Sequence, residues 1–147
     1  MLKSILFISA LFLLNHNVAL SNSCKQTLTA ADNISFDKSE LIFPNTCKTI
    51  TVELKHIGRL PKEAMGHNLV ISEKKHVKRI VRKIFESKIE DHFVPDSKHV
   101  IASSKLIGGG ENTRVVIETK EFQDKQLEYF SSFPGHASIM KGTISFR

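Results

Sequence analysis

Residues Tyr129 to Met140 read Y-F-S-S-F-P-G-H-A-S-I-M, and the rest of the chain is organised around them. An apolar run ends at Ser131, Pro134-Gly135 demands a tight loop, and His136 and Met140 follow with three residues between them. Imidazole and thioether are both ligands that suit copper, and a loop closed by Pro-Gly aims them at one point with little conformational entropy left to lose. A third soft ligand is expected at the start of such a loop. Ser131 stands there instead.

The spacing Ser131-x4-His136-x3-Met140 resembles the copper loop of the azurins, the blue-copper branch of the cupredoxin family, with serine in the place of the ligand cysteine. Upstream, L-P-K-E-A-M-G-H-N from Leu60 to Asn68 resembles the other ligand segment of that family. H-x-G-x-L-P at His56 to Pro61, V-I-A-S-S-K-L-I-G at Val100 to Gly108 and M-K-G-T at Met140 to Thr143 extend the likeness in order over nearly the whole exported chain. The resemblance implies an all-β cupredoxin, a Greek-key β-sandwich with one inserted α-helix. It also implies a copper site with His67 and His136 as equatorial ligands, the Gly66 carbonyl and Met140 as axial ones, and Ser131 in the thiolate position. Asn68, Ser132 and Phe133 match the surroundings of the family's site, with Asn68 tying the two ligand loops together. Met65, Phe133, Pro134 and Gly135 match the apolar rim on which redox partners dock, a c-type cytochrome being the kind of partner the family suggests. Leu69 stands where azurins often carry a buried tryptophan.

Ser131 changes the chemistry expected of that site. A cysteine thiolate binds Cu(I) and Cu(II) covalently, keeps the geometry nearly constant between them and gives the electron a way out. A serine hydroxyl is a harder, neutral and weaker ligand. Two imidazoles, a carbonyl and an oxygen donor favour tetragonal Cu(II), or Zn(II), over Cu(I). Redox activity is therefore expected to be impaired. The alternative reading is a metal-free or zinc-bound scaffold that acts as an interaction protein. An enzyme is not expected, because no nucleophile-base pair or acidic dyad is present.

The chain has 147 residues, which bounds it to one domain after its leader. Lys3 precedes an apolar core from Ile5 to Leu14, and Ala19-Leu20-Ser21 supplies small residues for cleavage, so residues 1–21 read as a secretory signal peptide. The exported domain then covers residues 22–147, with a periplasmic destination and no stable membrane span. Export to an oxidising compartment makes a Cys24–Cys47 disulfide the natural pairing of the two cysteines, and the family resemblance implies the same bridge. Lys and Arg number 21 against 15 Asp and Glu, a charge of +6, and loss of the leader removes only Lys3. That balance suits an acidic partner, an anionic surface or simple solubility; nucleic acid is not among the expected partners.

Short alternating runs dominate the exported chain. Cys47 to Lys55 puts Ile50, Val52 and Leu54 on one face and Thr49, Thr51, Glu53 and Lys55 on the other, as a half-buried strand requires. Similar runs predict strands at Cys24–Thr29, Ile34–Phe36, Glu40–Phe43, His67–Ser72, Val100–Ile107, Thr113–Thr119, Leu127–Phe133 and Thr143–Phe146. Gly108-Gly109-Gly110 reads as the turn of a hairpin between Val100–Ile107 and Thr113–Thr119. Between Glu73 and Phe93 the period changes: Val77, Ile80, Val81, Ile84 and Ile89 recur at helical spacing against a face of Lys and Arg, and Pro95 closes the helix. His56 reads as a buried structural histidine near the site, while His76, His92 and His99 show no partner pattern.

Overall fold

The computed structural model describes residues 23–147, so the signal peptide expected at residues 1–21 lies outside the described residues. Eight strands follow in order: β1 (Lys25–Ala30), β2 (Glu40–Phe43), β3 (Thr49–His56), β4 (Val70–Glu73), β5 (Ala102–Ser103), β6 (Asn112–Glu118), β7 (Leu127–Phe130) and β8 (Lys141–Phe146). They form two sheets, one ordered β1-β3-β6 and the other β2-β8-β7-β4-β5. β1 pairs with β3 and β2 with β8 in parallel, and the remaining pairs run antiparallel.

Alternation does on β3 what the sequence requires: Ile50, Val52 and Leu54 are wholly buried, and Thr49 and Lys55 face solvent. These side chains meet Leu28, Leu41, Phe43, Ile71, Tyr129 and Ile144 between the sheets in a single core. Strands β4 and β7 behave differently, because both of their faces are covered. Ile71 and Tyr129 point into the sandwich, while Val70 and Phe130, paired across the two strands, belong to a second cluster with Val77, Ile80, Ile84 and Ala137. That second cluster is the seat of the inserted helix α2 (Lys74–Lys83); a one-turn helix, α1 (Lys62–Met65), precedes β4.

Packing is what holds α2 in place. Lys74 and Lys75 occupy its first turn, where the helix dipole disfavours cations. Lys74 with Lys78, Lys75 with Arg79, Lys78 with Arg82 and Arg79 with Lys83 are like-charge neighbours, each unfavourable by about 0.2–0.5 kcal/mol. Burial of Val77 and Ile80, worth about 1.5–3 kcal/mol per side chain, outweighs those repulsions.

The disulfide joins Cys24 to Cys47, and Cys47 is part of the core. By closing a loop with a sequence separation of 23 it contributes about 3 kcal/mol in the chain-entropy account.

Several expectations need correction. The helix period stops at Lys83 and passes into 3-10 turns at Ile84–Glu86 and Ile89–Asp91, with His92 and Phe93 both left-handed at φ 57°. Ile34–Phe36 forms only a bridge from Phe36 to Ala30, and β4 begins at Val70 rather than at His67. Val100–Ile107 is a strand only at Ala102–Ser103, because Ile107 leaves the sheet edge to pair with the backbone of His67. The glycine triplet is not a hairpin turn: β5 belongs to one sheet and β6 to the other, so Gly108–Gly110 carries the chain between layers. There Gly109 N–H donates to the Leu60 carbonyl and Gly110 N–H to that of His56.

Two carboxylates stitch loops to strands. Asp32 accepts the N–H groups of Arg59 and Leu60 at 2.7 and 3.0 Å, which pulls its carboxyl below the usual range. For Asp37, partial burial acts to raise the pKa, but the Thr29 N–H at 2.7 Å and Lys38 at 3.4 Å outweigh it and the net direction is down. Lowered carboxylates add stability above their unfolded value of about 3.9, and that stability is lost as pH falls through the folded value. The urea midpoint should therefore fall between about pH 5 and pH 3, and a protein with Asp32→Asn and Asp37→Asn should show a flatter profile in equilibrium unfolding.

Candidate metal centre

Three loops at one end of the sandwich converge: residues 66–68 between α1 and β4, residues 131–140 between β7 and β8, and Ala31-Asp32 after β1. The first loop is held by reciprocal backbone hydrogen bonds of 3.0 and 2.9 Å between His67 and Ile107. Gly66 is required where it approaches α1, since a Cβ there would lie 2.4 Å from the Lys62 carbonyl oxygen. In the third loop the Ala31 carbonyl sits 2.7 Å from His67 Nε2. A carbonyl only accepts, so Nε2 carries the ring proton and Nδ1 keeps its lone pair.

The second loop is closed on itself. Ser131 N–H donates to the Met140 carbonyl at 3.0 Å, Met140 N–H to the His136 carbonyl at 2.8 Å, and His136 N–H to that of Phe133 at 2.9 Å. Gly135 takes φ 86°, a left-handed turn that favours glycine and sends the chain back to deliver His136. Ser131, Ser132 and Met140 are wholly buried and His136 is 3 % exposed.

Asn68 joins the two loops, as the family resemblance implies. Its Nδ2 donates to Ser132 Oγ at 2.7 Å, and its Oδ1 accepts Ser132 N–H at 2.7 Å and Ser131 Oγ at 3.4 Å. Nδ2 also donates to the His92 carbonyl at 2.8 Å. That last contact explains the left-handed His92-Phe93 pair: the turn points a carbonyl inward and sets Phe93 edge-on against Phe133 at 5.3 Å. Left-handed backbone is rare for a bulky aromatic and carries strain. Phe133 in turn lies 4.7 Å from the His136 ring. Met65, Phe133 and Pro134 are half-buried and Gly135 is exposed, so the rim around His136 is accessible.

The two histidines of the separate loops meet. Their ring centroids are 5.2 Å apart, and His67 is stacked on its other side against His56 at 4.6 Å. His56 is fixed by donating from Nε2 to the Met65 carbonyl at 3.0 Å and accepting Gly58 N–H at 3.1 Å. Burial lowers both neighbours: His67 falls below the usual imidazole range despite the Ala31 carbonyl, and His136 is lowered to about 4. Both rings are thus neutral at neutral pH, the form in which imidazole coordinates metal. The decisive detail is that His67 Nδ1 and His136 Nδ1 are buried and have no hydrogen-bond partner. Buried polar atoms are nearly always paired, so two orphans on adjacent rings fit a cation between them. Among the described residues no cluster of three or more His, Cys, Asp or Glu side chains accompanies them, so any ion held here relies on neutral oxygen and sulfur donors beside the imidazoles.

Sequence reasoning missed the Ala31 and His92 carbonyls, which carry no side-chain signal, and Phe93, which followed an expected helix. It also missed that His76 and His99 stack on each other at 3.9 Å on the far flank of α2.

A two-sheet sandwich with one flanking helix and paired end loops is the fold of a cupredoxin. The description "Copper binding proteins, plastocyanin/azurin family" matches residues 22–147, and the chain belongs to that family. It is 39% identical over 126 residues to azurin of Pseudomonas putida, covering 84% of this chain and 98% of the relative. Outer membrane protein H.8 of Neisseria meningitidis serogroup B is 32% identical over 125 residues, which are 85% of this chain and 68% of that protein. Among solved structures, the azurin Az-iso2 of Methylomonas sp. strain J superposes with a TM-score of 0.80 at 35% identity, covering 85% of this chain and 98% of that one.

Proposed function

We propose that this chain is an exported copper protein in which His67 and His136 would hold one ion, with the Gly66 carbonyl, Met140 and the Ser131 hydroxyl as its further donors. The observation that supports this reading is the pair of buried, unpartnered Nδ1 atoms. Copper bound there supplies a one-electron redox couple to a periplasmic partner such as a c-type cytochrome.

The chain's own residues do the rest. The Ala31 carbonyl fixes the His67 tautomer, and the closed loop from Ser131 to Met140 excludes water. The Ser131 hydroxyl donates a hydrogen bond to Asn68 Oδ1, which leaves the oxygen lone pairs directed elsewhere as neutral, hard donors. Such a donor set favours Cu(II), so electron exchange is slower than a thiolate site allows.

Titration of the metal-free protein with Cu(II), followed by calorimetry and electron paramagnetic resonance, should reach saturation at one equivalent with a tetragonal signal. His67→Ala combined with His136→Ala should abolish that stoichiometric binding. An unchanged isotherm in the double variant, or no binding by the parent, removes the copper reading. Partner binding that survives in the double variant supports a scaffold role instead.

A further inference from the structure

A shallow groove of about 270 Å³ runs between α2 and the metal loop. Its floor is apolar, made by Val77 and Val81 of the helix and Ala137 of the loop, and its rim carries Lys78, Arg82 and Lys141. Ala137 is the residue next to His136, so the groove adjoins the candidate metal centre. The cations are not consumed internally. Lys78, Arg79, Arg82 and Lys83 are exposed, and among the described residues the only ion pair made by α2 is that of Lys75 with Glu73. Arg82 and Lys83 in the last turn suit the helix dipole, but Lys78 and Arg79 lie one turn before them and stand against them as like-charge neighbours, so the cluster as a set is not explained by the helix.

We propose that this groove docks an acidic segment of a redox partner, with an apolar side chain seated on Val77, Val81 and Ala137 and flanking carboxylates on Lys78, Arg82 and Lys141. The word redox rests on the copper reading; the docking stands without it. Charge complementarity speeds the encounter and sets its orientation, and here it brings the partner to within one residue of His136. A lipid surface fits less well. An interfacial helix inserts its whole apolar face among acyl chains, whereas Ile80, Ile84 and most of Val77 pack on Val70 and Phe130, which leaves only the edge at Val81 and Val77 for one side chain to sit on. Only Phe85, 80 % exposed, is left at its end to insert.

The probe is a dye-labelled Glu-Glu-Leu-Leu-Glu-Glu peptide, its binding to the full protein followed by anisotropy with and without Cu(II). Saturable binding in both states is expected, weakening about tenfold between low and physiological salt. Lys78→Glu with Arg82→Glu should raise Kd at least about tenfold, and Lys78→Gln with Arg82→Gln by a smaller factor in the same direction, while Lys55→Glu on the distant sheet changes it less than about twofold. Circular dichroism checks that each variant is folded. A peptide with Ser-Ser in the place of Leu-Leu should bind more weakly. The proposal is overturned by absence of saturable binding, or by an equal loss in Lys55→Glu. It is overturned too if phosphatidylglycerol vesicles bind in a manner lost with Phe85→Ser while the peptide does not bind. Peptide binding by a protein that fails to take up copper sinks the metal assignment and leaves the docking surface intact.

Discussion

Loaded with Cu(II), the Ser131→Cys protein should turn intensely blue, while the parent stays pale under the same conditions. Ser131 is wholly buried, its N–H is tied to the Met140 carbonyl, and the peptide that follows is tied to Asn68, so its Cβ is fixed by backbone rather than by its own hydroxyl. In the proposed site, sulfur in that place would join two neutral imidazoles whose Nδ1 atoms have no hydrogen-bond partner. If residue 131 faces the ion as proposed, the change converts a neutral oxygen donor to a thiolate, and the absorption of a copper–thiolate bond reports it directly. Affinity for Cu(I) should rise by more than the roughly 10–100-fold that outer partners of a metal site contribute, because a ligand itself has changed. A colourless Cys variant that binds one equivalent of copper would show that residue 131 does not face the ion.

The second large effect belongs to Asn68→Ala. This side chain is wholly buried and makes four hydrogen bonds, two from Nδ2 and two to Oδ1. Truncation leaves the buried Ser132 N–H and the part-buried His92 carbonyl without their partner, at about 1–3 kcal/mol for a fully buried group and less for the other, so equilibrium unfolding should show a loss of about 3 kcal/mol. Copper affinity should fall by roughly 10–100-fold as well, since the two loops lose their tie. A stability loss below about 1 kcal/mol would mean that water replaces the amide and that the loops are held otherwise.

Much of this architecture was legible from local pattern. Alternation at Thr49–Lys55 found β3 and its buried face, the run at Glu40–Phe43 found β2 with both its ends, and the change of period after Glu73 found α2. What failed was whatever depends on distant pairing. The run Val100–Ile107 has the composition of a strand, yet Ile107 is claimed by His67, and local sequence does not encode that competition. Sheet membership of β5 and β6 is likewise a long-range property, which is why a glycine triplet looked like a hairpin turn. For the site, loop spacing brought out His136 and Met140 and the family resemblance added His67 and Asn68, all four of which are buried at the converging loops. The carbonyls of Ala31 and His92 were invisible because every residue offers one, and only geometry selects which are used.

The double coverage of β4 and β7 has a mechanical side. Val70 begins the strand that follows His67, and Phe130 ends the strand that precedes Ser131; the two are cross-strand neighbours, and α2 rests on both. A single pair of side chains thus forms the common footing of the helix and of the roots of both loops, so a shift of the helix would reach the two loops together rather than one at a time.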